Sequence, residues 1–188
     1  MATPKLPAPH PLSTRNAADS LRLAIETQFR RCTEAVLGGP FDADPIPWMH
    51  AMLQRGTDVD LLVVGLARFQ RLADWALAGT FATPQLQAAV ATFKAAVPHL
   101  KQIRDTQEHW DEYGSQVGQR QKAGEPPSGF GYGLSAAGGV VTYGTFKLDI
   151  AAALAATQEL HRAIRHDVDQ LAGADVHGGP DTVLIPHP

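Results

Sequence analysis

Apolar side chains recur along the first third of the chain at Leu21, Ile25, Phe29, Cys32 and Val36, at spacings of four, four, three and four. That period puts them on one stripe of a helix. The pattern predicts a first helix that starts after Ser13 or Thr14 and stops at Leu37, where Gly38, Gly39 and Pro40 supply a glycine cap and then a proline. Residues 41–56 carry Pro45, Pro47 and Trp48 and read as an ordered loop with room for one short helical turn. A second helix is expected from a cap at Thr57 or Asp58, through a run apolar on more than one stripe, to Gly79. Such a helix is touched by several neighbours. Thr83 followed by Pro84 is a cap with proline at the first helical position. From there a helical pattern continues to about Gln121, and Pro98 must kink or split it.

Residues 123–145 depart from that pattern, with repeated glycine, two prolines and short apolar runs at 132–134 and 140–143. They predict a long loop or a small β-hairpin over one end of the helices. A last helix is expected over 147–171, where Ile150, Leu154, Thr157, His161, Ile164, Val168 and Leu171 step by four and three. Beyond Gly173 the tail has no period and is expected to be mobile or an extended strap. The expected organisation is therefore a disordered lead over 1–13, one domain over 14–172 and a flexible tail over 173–188. The expected fold class is all-α, an antiparallel four- to five-helix bundle with a hairpin or glycine-rich insert before the last helix.

Composition narrows the functional classes. A chain of 188 residues with 44% hydrophobic content can close a core without disulfides or a structural metal. A formal charge of -3 argues against a nucleic-acid coat, and no DNA binding is expected, although a local RNA contact remains compatible with it. Cys32 is the only cysteine, so no internal disulfide can form and a reducing cytoplasm is the expected location. Arg30 and Arg31 precede it and could lower its pKa, yet a lone cysteine on an apolar stripe reads as packing. The most apolar stretch, 61–66, is soon followed by Arg68, Arg71 and Asp74, and no signal-peptide-like run precedes it. No membrane association is expected.

The densest chemistry lies in 101–113. Lys101, Arg104, Asp105, Glu108, His109, Trp110, Asp111, Glu112 and Tyr113 crowd one short stretch. On a helix Asp105 and Tyr113 each stand four residues from His109 and can orient its imidazole, and Arg104 can pair with Glu108. Arg104 and His109 are five apart and so rotated by about 140°. Only the long arginine side chain, or a groove between two helices or two subunits, brings both groups to one phosphate. The acidic surroundings, Asp105, Glu108, Asp111 and Glu112, tell against a phosphate-rich ligand unless Lys101, Arg120 and Lys122, or a partner subunit, offset them.

This run, an arginine, a polar residue, three more and a histidine late in a helical chain, resembles the motif of HEPN domains (higher eukaryotes and prokaryotes nucleotide-binding). Arg104 takes the place of the motif arginine, Asp105 that of the polar residue and His109 that of the histidine. The continuation through Tyr113 is similar to versions in bacterial members. The resemblance implies a homodimer whose motif helices face each other across a cleft that cuts RNA without a metal or cofactor, in a toxin paired with an antitoxin protein or in phage defence. His109 would be the general acid/base, Arg104 would stabilise the phosphoryl oxygens, Asp105 and Tyr113 would orient the histidine, and Glu108 and Glu112 would tune it. Lys101, Arg120 and Lys122 would hold the substrate. The glycine-rich insert at 123–145 departs from the minimal bundle of that family.

The competing reading is a non-catalytic helical binding or scaffold protein of the same fold, with Arg104 paired to Glu108, His109 packed against Trp110, and the Trp110/Tyr113 surface or the hairpin holding a partner. Other sites carry less. A di-iron centre needs Glu-x-x-His pairs, which the chain lacks, and His161 and His166, five apart, share no helix face for a metal. His161 reads as a core or interface histidine. The glycines at 129–139 lack the lysine and strand-to-helix setting of a phosphate loop.

Overall fold

A proline opens each of the first three helices, α1 (Pro11–Glu34), α2 (Pro45–Leu77) and α3 (Pro84–Ala96). At that position the fixed φ suits the helix and the missing N–H had no partner to lose. The structure, a computed structural model, describes residues 10–34, 45–78, 82–108, 132–134, 139–143 and 146–178. Two further helices and three strands complete the order: α4 (Leu100–Glu108), β1 (Tyr132–Leu134), β2 (Val140–Tyr143), β3 (Phe146–Asp149) and α5 (Ile150–Gly178). The protein is mostly helical, with one small antiparallel sheet in the order β1-β2-β3.

Several expectations about boundaries are corrected. Residues 11–13, expected in a disordered lead, form the first turn of α1, and the Thr14 amide bonds the His10 carbonyl at 3.0 Å. The loop expected over 41–56 is helical from Pro45 onward, because Pro45 and Pro47 both fall within the first turn, where no intrahelical N–H bond is lost. Thr57 and Asp58, expected as caps, are therefore inside α2. The Thr57 hydroxyl donates back to the Leu53 carbonyl at 3.2 Å, and Asp58 is buried against α1 with an ion pair to Arg31 at 3.1 Å. The last helix starts at Ile150 rather than Lys147, because 146–149 pair with β2 as a third strand. It runs on to Gly178, so residues 173–178 belong to a helix and not to the expected tail. Other expectations hold. Thr83 has an extended backbone (φ -73, ψ 160) and its hydroxyl accepts from the Leu86 amide at 3.2 Å, while the segment at Pro98 divides α3 from α4.

The core explains how these elements pack. Ile25 and Cys32 of α1, Leu62, Leu66 and Phe69 of α2, Leu86 and Phe93 of α3, Leu100 and Ile103 of α4, and Leu160 and Ile164 of α5 are all buried in one cluster. Every position of the predicted α5 seam from Ile150 to Val168 is buried except Leu154, and Leu154 and Leu171 pack against the cluster from its edge. The Phe69 and Phe93 rings meet tilted at 5.9 Å. Helix α1 runs antiparallel to α5, since Arg15 pairs with Asp169 at 2.8 Å, Asp19 with His161 at 2.6 Å and Glu26 accepts from Gln158 at 3.1 Å. It is antiparallel to α2 as well. Arg31 meets Asp58 at one end, and nearer the middle a Cβ on Gly65 would stand 3.1 Å from Ile25 Cγ1. Asp167, almost wholly buried on α5, accepts the Thr83 hydroxyl at 2.8 Å and so fixes the start of α3. Among the described residues no helix is long and apolar enough to cross a membrane.

Candidate functional site

Helix α4 carries the first half of the sequence motif. Pro98 cannot donate the bond that would continue α3, so the chain turns at 97–99 and restarts with Leu100 and Ile103 facing the core. Lys101, Arg104 and Asp105 then fall on the solvent side of that short helix. The Arg104 guanidinium donates to Asp105 Oδ1 at 2.8 Å, and Lys101 Nζ lies 3.3 Å from Asp105 Oδ2. The neighbouring carboxylate is thus one partner of the guanidinium, while the expected pairing of Arg104 with Glu108 involves a side chain outside the described residues. Arg104 and Lys101 together engage both oxygens of Asp105, the group expected to orient His109. Burial opposes ionisation of Asp105, but the hydrogen bonds and positive charges of Arg104 and Lys101 outweigh it and hold its carboxyl below the usual range.

The face of α2 opposite α4 presents Ala67, Gln70, Arg71 and Asp74, spaced three, one and three. Together with Leu100, Lys101 and Arg104 they line a cleft of about 130 Å³ between the two helices. Two apolar side chains form part of its wall, and three of its five polar ones are cations. Its single carboxylate, Asp74, is held by Lys94 of α3 at 2.7 Å. Arg71 pairs with no carboxylate among the described residues. Sequence reasoning missed Gln70 and Arg71; their i, i+3, i+4 spacing with Ala67 marks a shared helix face, but only the tertiary packing says that this face meets α4.

A second polar cluster anchors the far end of α4. Gln107 Nε2 donates to Asp60 Oδ1 at 2.7 Å and to the Tyr143 hydroxyl at 2.6 Å, and that hydroxyl donates to the same Asp60 oxygen at 2.7 Å. Three elements, α4, α2 and β2, are thereby joined one turn after Arg104. At the other end the His99 and Phe146 rings lie 5.3 Å apart, so the sheet touches α4 near both its ends.

The remaining expected site residues, His109, Glu112, Tyr113, Arg120 and Lys122, lie outside the described residues, as does the side chain of Glu108. His161 is buried and bonded to Asp19, the core position expected for it, whereas His166 is exposed and lies 3.3 Å from Gln170. No group of three His, Cys, Asp or Glu among the described residues is placed to hold a metal ion. Cys32 is fully buried, and desolvation, followed by the Asp58 charge, pushes its thiol up to about 11 against the opposing pull of Arg55 and Arg31. The burial bears out the packing reading of Cys32, and desolvation outweighs the lowering that its arginine neighbours could give. Comparison of the chain with family models, with curated proteins and with solved structures finds no match to any of them.

Proposed function

We propose that this protein is a HEPN-like helical bundle acting as a metal-independent endoribonuclease, with Arg104 on the scissile phosphate and His109 as the proton-transferring base and acid. The observation that carries the reading is the cleft beside Arg104, where Lys101 and Arg71 add positive charge at a helix junction five residues before the motif histidine. A guanidinium there can neutralise charge that builds on the phosphoryl oxygens. An imidazole titrates near neutral pH, so His109 can take the proton of a ribose 2′-OH and return one to the leaving oxygen, which needs no metal. The resemblance further implies a homodimer, a cytoplasmic setting and a protein antitoxin or a role in bacterial defence.

The test compares purified protein with its His109→Ala and Arg104→Ala variants on labelled RNA in the presence of a chelator. Wild-type protein cleaves the RNA and the His109→Ala variant is slower by about 10²-fold to 10⁴-fold. Equal cleavage by both, or none by wild type, removes the reading. The Arg104–Asp105 ion pair favours a second one, a non-catalytic binding protein of the same fold, because it holds the guanidinium against a carboxylate. On that reading neither substitution changes the RNA.

A further inference from the structure

We propose that Arg71 of α2 joins Lys101 and Arg104 of α4 in a binding site for a single phosphoryl-type oxyanion, seated in the cleft between the two helices. The inference deepens the ribonuclease reading and rests on it only in assigning that oxyanion to an RNA backbone phosphate. Size sets the ligand class. At about 130 Å³ the cleft is several times the roughly 30 Å³ share of one water and well below the roughly 300–1,000 Å³ of sites that enclose a whole drug-sized molecule. One tetrahedral oxyanion fits within the cleft, which is open to solvent on its outer side.

Charge sets its sign. Three cations line the space against one carboxylate, and Lys94 already holds that carboxylate, in a molecule whose formal charge is -3. The positive end of the α4 dipole lies at the same place, since the helix begins at Leu100. Arginines at two corners, on different helices, offer planar forks that match oxyanion geometry, and Gln70 adds a neutral donor. Ala67 and Leu100 exclude water from part of the wall, which strengthens the remaining electrostatics. Asp105 has a defined part in this site. It holds Arg104 and Lys101 in place while the cleft is empty, and it competes with the incoming anion for them.

Inorganic phosphate titrated into the full chain at constant ionic strength, followed by calorimetry and amide chemical shifts, tests the site. Wild-type protein binds phosphate more tightly than chloride. Arg71→Gln and Arg104→Gln each weaken binding about tenfold, the loss expected for one charge-assisted hydrogen bond. Asp105→Asn tightens it, and Arg162→Gln, an exposed arginine of α5 away from the cleft, leaves it unchanged. Phosphate bound no better than chloride, or an Arg71→Gln variant that binds as wild type does, overturns the proposal. On RNA, Arg71→Gln raises KM about tenfold. Phosphate binding without RNA cleavage supports the site and removes only the ribonuclease reading; RNA cleavage with no phosphate binding removes the site and leaves that reading standing.

Discussion

The side chain of Cys32 shows how one residue's environment overrides its neighbours in sequence. Two arginines precede it, but one of them, Arg31, is drawn to Asp58, and that carboxylate lies close enough to raise the thiol further. Folded protein at pH 8 should therefore leave Ellman's reagent unreacted for far longer than a free thiol does, and react fully once unfolded in urea; prompt reaction in the native state would contradict the burial. Asp19 shows the opposite sign. Its hydrogen bond with His161, helped by the charges of Arg165 and Arg15, holds its carboxyl below the usual 3.8 in spite of some desolvation. A depressed folded value contributes stability above the unfolded value, and that contribution disappears as pH falls through the folded one. Glu26 and Asp105 are lowered too, so the three act together. Urea midpoints measured from pH 6 down to about 2.5 should fall on the acid side, and the fall should be shallower in Asp19→Asn. An unchanged acid slope in that variant would show that the pair does not distinguish folded from unfolded chains.

At the scale of elements, the local signals were legible and the tertiary ones were not. Thr83-Pro84 and Pro98 act through the backbone within a turn of themselves, so the start of α3 and the α3/α4 break could be read directly. The seam of α5 was legible because seven positions repeat its period. Helix α2 was cut short in the reading because Pro45, Pro47 and Gly56 look like breakers, whereas two stand in its first turn and the third is buried inside it. Strand β3 is only Phe-Lys-Leu-Asp, too brief an alternation to separate from the helical pattern that follows. Of the candidate site, Arg104, Asp105 and Lys101 were legible as a charged cluster, but the contact of Arg104 with its immediate neighbour Asp105 depends on rotamers, and the approach of Arg71 depends on how α2 and α4 pack. Gly65 of α2 packs directly against Ile25 of α1. Gly65→Val should destabilise the fold by about 2 kcal/mol, because its Cβ alone would stand 3.1 Å from the buried Ile25 and two methyls are added beyond it. Thermal unfolding measures it, and a neutral result would mean that α1 can back away.

Considered whole, the molecule closes its core with elements from both ends of the described chain, since α1 and α5 lie side by side along most of α1. The proposed homodimer belongs to this scale. Sedimentation equilibrium should return about twice the 20.1 kDa chain mass at micromolar concentration, and a monomer at every concentration would detach dimerisation from the functional proposal. The joint between β3 and α5 has a mechanical consequence. Asp149 ends the strand and at once caps the helix, accepting from the Ala152 amide at 2.9 Å, while the Ile150 amide reaches the Gly139 carbonyl beside β2 at 3.0 Å. No spacer separates strand from helix, and swinging one against the other breaks two bonds of about 1 kcal/mol each. The sheet therefore rides on α5 like a bracket welded to a beam, and through Tyr143 and Phe146 it carries the lever arm of α4 with it.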